Sequence, residues 1–389
     1  MTSPEAEQYR LPETENERIF RQRIVPQLLS GRTSHDRPTV VFLTGQPGAG
    51  KNRVSMMLAD VLNARGGFVD VDSDLYKPYH PQYDELLARD DTLMAAYTRA
   101  DGRAWMAKAH QYARDNKINA IIQETSQNAD AVAATMREYR QAGFRVEAMI
   151  LGVSQAMSNQ GILNRYYEQV ADGGRGRLTV QANADQSYDG IPALADRIDN
   201  DRLTDQVAVF RRGEETPRYR NALDGRGQWE SQPATRAAIE TERQRPWTGP
   251  EATDFLAVQH KLRDAIDNGT VLRTDVRPEF SARLDMVDHQ AASLLASAQP
   301  CSLGARPASP DPSVDAIFTD LAAEEPTRNP DTSPADREAP ESAADRAARI
   351  AGRAFGGSAQ TAINPSQSEG RSGPAPDNRG PSHSPTRDR

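Results

Sequence analysis

The stretch VVFLTGQPGAGKNRVSMML, Val40 to Leu58, constrains the fold more than any other part of the chain. Its first five residues read as a buried strand. A glycine-rich turn follows, then a lysine and a run in which Val54, Met57, Leu58, Val61 and Leu62 recur at helical spacing until Gly66 and Gly67. GQPGAGK fits the pattern G-x-x-x-x-G-K with a further Pro and Gly inside it. Five specified positions give on the order of one chance match in ten thousand chains of this length. Between a strand and a helix, such a turn is a phosphate cradle. The backbone N–H groups of Gly48, Ala49, Gly50 and Lys51 can point inward, and glycine keeps side chains out of the approach. The helix N-terminus adds partial positive charge, and Lys51 reaches the outer phosphates. Gly45, Gln46, Pro47, Asn52 and Arg53 complete the candidate nucleotide-binding set.

Asn52 departs from the usual pattern, in which a Ser or Thr hydroxyl after the lysine gives magnesium a hard oxygen close to the backbone. The Asn52 carbonyl oxygen is also hard and neutral but lies one bond further out. It can coordinate directly or hydrogen-bond a metal-bound water, so weaker metal positioning is expected rather than its abolition. The opposing reading is a site that binds nucleotide and turns over poorly.

Strands and helices go on alternating downstream. FVDVD (68–72), INAII (118–122), RVEAMILGV (145–153) and QVAVF (206–210) read as strands. Helical segments are expected near 82–98, 102–115, 129–141, 155–170 and 190–200. That order implies an α/β fold with a mainly parallel sheet and helices on both faces. A weak helical stripe over 14–25 precedes it, ended or kinked by Pro26. The expected organisation is an N-terminal helix and linker (1–38), a nucleotide-binding domain (39–214), a helical extension (215–300) and a mostly disordered tail (301–389). The tail is rich in Pro, Ser, Asp, Arg and Ala, with a short helix near 341–355.

A net charge of −8 argues against a general nucleic-acid surface. The longest apolar runs fall far short of the roughly 20 residues a membrane span needs. Cys301 is the single cysteine, so no internal disulfide forms. The polar, acidic start carries no apolar signal core. These features read as a cytoplasmic protein with neither membrane nor nucleic acid as partner. The histidines at 35, 110, 260, 289 and 383 lack ligand spacing, and no zinc site is expected.

VDVDSDLYKPYHP follows the second strand, and chemistry in parallel sheets gathers at the carboxyl ends of strands. Asp72 and Asp74 are therefore expected near the phosphates, to hold metal through water or to accept a hydroxyl proton. Solvated acids or a helix cap are the plainer alternative.

Taken together, these segments resemble the zeta toxins, P-loop kinases that phosphorylate the sugar of UDP-N-acetylglucosamine, over about residues 19–211. RIFRQRIVPQLLSG…RPTVVFLTGQPGAGK resembles the family's leading helix and P-loop. DSDLYKPYHPQYDEL is similar to its second block, ETSQNADAVAATMREYRQAGFRVEAMILGV to its third, and NRYYEQV…GGRGRLT to its fourth. The resemblance implies a P-loop kinase-like fold, magnesium, and ATP or GTP as phosphoryl donor. It implies Asp74 as the base, Lys51 on the phosphates, and Arg165 and Arg177 as the arginines that neutralise the migrating group, with Arg175 a nearby competitor. DGGRGR would form a lid. Thr125 and His80 would line the acceptor site. In the third block the family Glu falls on Gln123 and its Gly on Glu124. Either Gln123 keeps the hydrogen bonding without the charge, or Glu124 supplies the acid from the opposite strand face.

The implied function is a sugar-nucleotide kinase acting as a toxin on cell-wall precursor supply, silenced by a small helical antitoxin. A kinase for another nucleotide-bearing substrate such as NAD is one alternative. A nucleotide- and antitoxin-binding module with little catalysis is another. The helical extension could cover the site as an antitoxin does, or simply pack against the kinase core.

Overall fold

Strand β1 (Thr39–Thr44) is buried along its whole length because helices cover both faces of the sheet it centres. The computed structural model describes residues 4–89, 94–269 and 271–298; the expected disordered tail, its short helix and Cys301 lie outside them. Besides β1 the sheet contains β2 (Val69–Val71), β3 (Ala120–Glu124), β4 (Arg145–Leu151), β5 (Gln206–Phe210) and β6 (Pro217–Ala222). Their order is β2-β3-β1-β4-β5-β6. Strands β1 to β5 run parallel, and β6 returns antiparallel to β5. The α/β architecture expected from the alternation, and the P-loop kinase-like form that the resemblance implies, are therefore those observed.

Side-chain alternation along β1 divides the core. Val40 and Phe42 face a layer containing Trp105, Met136, Tyr139, Leu194 and Ile198. Val41 and Leu43 face Val54, Leu58 and Leu62 of the helix that follows the P-loop. Each fully buried Leu, Ile or Phe in these layers stabilises by about 1.5–3 kcal/mol relative to exposure. The helices supplying the layers are α1 (Glu13–Ile19), α2 (Asn52–Ala64), α3 (Arg99–Asp115), α4 (Ala129–Gln141), α5 (Gln155–Gly173) and α6 (Gln181–Asp201).

Two segments differ from expectation. Pro26 does not end its helix. After α1 the chain stays helical over Phe20–Leu29 in wider turns, in which the Ser30 N–H donates to the Val25 carbonyl at 2.9 Å. An i→i+5 ladder accommodates the missing proline donor. The region after residue 214 is not helical from its start either, since β6 extends the sheet first. Its helices then follow as α7 (Thr235–Gln244), α8 (Gly249–Asp267) and α9 (Arg277–Ala296). Phe255, Leu262, Phe280 and Leu284 of α8 and α9 bury against Ile162, Leu163 and Tyr166 of α5. The extension thus packs on α5. No helix among the described residues is long and apolar enough to cross a membrane.

Candidate active site

After Thr44 the chain turns through Gly45–Gly50 into α2, with Gly48 at φ +76° and Gly50 at φ +86°. A Cβ on Gly48 would stand 2.0 Å from the Ser158 carbonyl oxygen, so only glycine fits. Gly161 of α5 is equally confined, because a Cβ there would meet the Gly48 carbonyl oxygen at 2.5 Å. Gln46, buried, donates to the Val153 carbonyl (2.9 Å) and the Ser158 hydroxyl (3.2 Å). The loop is thereby clamped to the start of α5. Lys51 Nζ donates to the Gly45 carbonyl at 2.5 Å. Burial pulls the Lys51 ammonium down to about 8; Asp72 opposes the fall and Arg165 deepens it.

At the end of β2, Asp72 caps the short helix Ser73–Tyr76, its Oδ1 accepting the Asp74 N–H at 2.8 Å. The cap and the candidate site residue are the same side chain. Burial and the neighbouring Asp74 charge push Asp72 up to about 6. On Asp74, Oδ1 accepts from Arg177 Nη1 at 2.5 Å and from Lys77 Nζ at 2.6 Å. Burial opposes ionisation there, yet Arg177 and then Lys77 outweigh it and hold the carboxyl well below the usual carboxylate range. Arg165 lies one turn beyond Gly161 on α5, hence on the same helix face. Its Nη2 donates to the Thr179 hydroxyl at 3.1 Å. Lys51, Asp72, Asp74, Arg165 and Arg177 form one interacting set of charges.

The third block resolves by strand geometry. Gln123 Nε2 donates to the Ser55 hydroxyl of α2 at 3.1 Å, whereas Glu124 lies within electrostatic reach of Lys51 and Asp72. Burial raises the Glu124 pKa, partly offset by the backbone N–H groups of Ser126 and Thr125. One step along a strand changes faces, so the acid beside the lysine is Glu124 and Gln123 faces α2. Thr125 follows directly at the mouth of β3, half-buried.

Three expectations need correction. His80 does not line an acceptor site. It is 2% exposed, with Nε2 on the Tyr9 carbonyl (3.0 Å) and Nδ1 on the Gln82 N–H (3.2 Å), so it holds the N-terminal segment. Arg53 turns outward to Glu215, its Nη2 2.6 Å from Oε1, away from a role on phosphates. Gln123 points to Ser55 of α2, as above, and not to the strand face that carries Glu124. Asn52 is exposed at the first residue of α2.

Two residues escaped sequence reasoning. Lys77 was legible in principle, since D-x-x-K on a helical turn brings i and i+3 together. Arg212, just past β5, lies across the P-loop: its Nη1 donates to the Met157 carbonyl (2.8 Å) and the Gly48 carbonyl (3.2 Å). A basic residue at a strand's carboxyl end was its only signal. A hollow of about 510 Å³ beside Asp199, Arg202 and Trp229 shares no residue with this cluster. Among the described residues no group of three or more His, Cys, Asp or Glu is placed to hold a metal ion.

Comparison with known proteins adds independent findings. The Zeta toxin family model matches residues 27–224. Toxin zeta of Streptococcus agalactiae is 23% identical over 203 residues, 50% of this chain and 69% of the relative. Toxin PezT of Streptococcus pneumoniae serotype 4 is 23% identical over 186 residues, 48% of this chain and 70% of that protein. A solved structure from the PezAT chromosomal toxin–antitoxin system of Streptococcus pneumoniae superposes with a TM-score of 0.57 at 16% identity. It covers 67% of this chain and 100% of that one. At that identity the superposition speaks for the fold.

Proposed function

The chain belongs to the zeta toxin family, and from that membership we propose that it transfers a phosphoryl group from ATP or GTP to a sugar hydroxyl, with UDP-N-acetylglucosamine the leading acceptor. The observation that carries the reading is the convergence of Lys51, Asp74, Arg165 and Arg177, from four separate segments, on one charge cluster beside a glycine turn. The amides of Gly48 to Lys51 hold the donor phosphates, and Lys51 takes the outer ones. Arg165 and Arg177 offset the charge of the migrating phosphoryl group, which in a loose transition state spreads over its equatorial oxygens.

Asp74 orients the acceptor hydroxyl. While Arg177 and Lys77 grip it, its proton affinity is low, and it acts as an acceptor of a hydrogen bond rather than a strong base. A loose transition state asks for little proton removal beforehand. When Arg177 turns from the carboxylate to phosphate, Asp74 becomes more basic as the hydroxyl begins to lose its proton.

Magnesium fits the residues present. The Asp72 carboxyl, pushed up to about 6 by burial and Asp74, lies where divalent charge would offset the crowding of acids, and Asn52 offers a neutral oxygen at the start of α2. A magnesium ion is usually held by one or two carboxylates plus phosphates and water. Once bound, it would neutralise charge on the bridging phosphates.

The test is to incubate purified protein with ATP, magnesium and UDP-N-acetylglucosamine and look for a phosphorylated sugar nucleotide by mass spectrometry. Asp74→Asn should remove product while nucleotide binding persists; loss of both assigns Asp74 to metal or fold instead. A second reading, a nucleotide- and antitoxin-binding module without turnover, draws on exposed Asn52 in the metal-ligand position. Tight nucleotide binding with no product from any pooled metabolite extract identifies it, whereas product from NAD alone identifies a different acceptor. In the phosphotransferase reading the cellular consequence is depletion of cell-wall precursors, with a helical antitoxin as the restraining partner.

A further inference from the structure

Arg283, on α9, is buried to 6% exposure, its charge offset by Glu279 and Asp185. The nearest carboxylate is Glu279, 3.8 Å away and itself 63% exposed. Its Nε and Nη2 have no hydrogen-bond partner, and the one strong contact is Nη1 to the Thr179 carbonyl at 2.8 Å. Burying a guanidinium with two of its three nitrogens unpartnered is costly. The contact it makes is therefore the feature to explain.

Thr179 belongs to the connection between α5 and α6, which carries Arg177. That connection is tied down at four points. A Cβ on Gly176 would lie 2.9 Å from the Tyr166 carbonyl, so the backbone rests directly on α5. The Arg177 N–H donates to Gln169 Oε1 at 3.0 Å. Leu178 is buried in the cluster formed by Phe280, Leu284 and Tyr166. Arg283 then grips the Thr179 carbonyl with a charge-assisted bond, while the Thr179 hydroxyl receives Arg165. Arg165 thus bonds Thr179 directly, Arg177 stands two residues before it on the same segment, and Thr179 is held from α9.

The docking of α8 and α9 is also polar enough to fix its register. Gln160 donates to Gln259 Oε1 (2.9 Å) and to the Phe255 carbonyl (2.8 Å), Gln259 donates to Asp288 (2.8 Å), and Asn159 donates to Gln290 (2.9 Å). An apolar face alone can slide; buried amides that must each meet a partner cannot do so without loss.

We propose that Arg283 is a positioning residue: the C-terminal helices brace the segment 174–180 through the Thr179 carbonyl and so set where Arg177 and Arg165 reach. The consequence for turnover rests on the phosphotransferase reading, whereas the holding of the segment does not. Arg283 touches neither nucleotide nor acceptor, so its removal should act through the arginines. A misplacement of about 1 Å in such a group lowers turnover about 100-fold.

The experiment uses the full chain with Arg283→Met, Arg283→Lys and Thr179→Val. Each variant is measured for kcat and for KM toward the donor nucleotide, for Tm, and for the rate of tryptic cleavage after Arg175 and Arg177 mapped by mass spectrometry. The expected result for Arg283→Met is a kcat lower by 10- to 100-fold, a donor KM within threefold, and cleavage at least tenfold faster in the folded protein. Arg283→Lys, which keeps one donor for the carbonyl, should recover much of both. Thr179→Val, which spares the carbonyl and removes only the Arg165 contact, should lower kcat without faster cleavage. Unchanged cleavage in Arg283→Met, or a kcat loss no larger than its unfolded fraction, overturns the proposal. If Arg283→Met fails to fold, Arg283→Lys decides: full cleavage protection and turnover support the brace, and cleavage as fast as in a peptide of the segment overturns it. Wild-type protein without phosphoryl transfer but with Arg283-dependent protection would retain the brace and reject the kinase reading.

Discussion

Gly48 and Lys51 stand on a turn launched from the central strand of the sheet, whereas Arg165 and Arg177 come to the same place from a helix and a loop outside the sheet. The P-loop side is fixed by backbone. Two positive-φ glycines, a neighbouring glycine on α5 and a buried glutamine leave it one conformation. The arginine side is fixed by side chains. Arg177 closes on Asp74, Arg165 on Thr179, and the whole segment leans on α9. The first is local in its motif, Gly45 to Lys51, although its clamp also reaches Val153 and Ser158. The second joins residues about a hundred positions apart, and its precision depends on elements that never approach the chemistry.

The largest expected effects separate the two sides by kind of loss. Lys51→Met should lower phosphoryl transfer by roughly 1,000-fold or more and weaken nucleotide binding as well, since it removes charge from bound and migrating phosphates alike. Arg177→Met should lower kcat by roughly 100- to 1,000-fold with donor affinity nearly kept, as for a group aimed mainly at developing charge. Steady-state kinetics with calorimetric binding distinguishes them, and equal loss of affinity in both would break the contrast. Gly161→Val comes next. Its side chain would enter the 2.5 Å space beside the Gly48 carbonyl and push α5 off the loop. Overpacking of this kind costs about 1–3 kcal/mol of stability, and turnover and binding should fall together because the two sides separate.

The pH dependence sharpens the P-loop side. Burial pulls Lys51 down to about 8, and phosphates favour its protonated form. Nucleotide affinity should be level near pH 7 and fall as pH rises past 8, approaching tenfold per unit by linkage. Titration of Kd from pH 6.5 to 9.5 checks this, and Lys51→Met should show no such slope. The smallest effect concerns Asp70 on β2, whose buried Oδ1 has no hydrogen-bond partner. Burial, aided by Asp72, pushes its pKa up to about 8, well above the usual carboxylate range. The folded state therefore holds this proton more tightly than the unfolded chain, and stability drops as pH rises from about 4 through 8. Asp70→Asn should raise Tm by a few degrees (about 2–4 °C) at pH 8 and leave it unchanged near pH 4, as thermal melts at both pH values would show.

Much of the fold was legible in the sequence because its signals are local. GQPGAGK between an apolar run and an amphipathic one specifies strand, turn and helix without reference to the rest of the chain. The alternation that followed specified a mainly parallel sheet. Boundaries moved where pairing, not propensity, set them: β3 runs over Ala120–Glu124, two residues beyond the INAII reading, because β1 continues to offer partners as far as Glu124. β6 was missed because PRYRNA, half exposed on an edge strand, shows no apolar alternation.

The site divides in the same way. Lys51 was legible from its motif, and the end of a parallel strand placed Asp72 and Asp74 near it, whereas a role for Asp74 came only from the family resemblance. Whether Gln123 or Glu124 faced the lysine depended on the register of β3 against β1, a property of the assembled sheet. His80 reads as a site residue from its neighbours in sequence, yet its ring is spent on Tyr9 and Gln82, because the N-terminal segment folds back over it. The sequence by itself determined the phosphate turn and the kind of sheet that carries it, since backbone sterics and periodicity act over a few residues. Only the tertiary structure decided which acid meets the lysine and what steadies the arginines, because those contacts join groups far apart in the sequence, and their geometry exists only once the layers have packed.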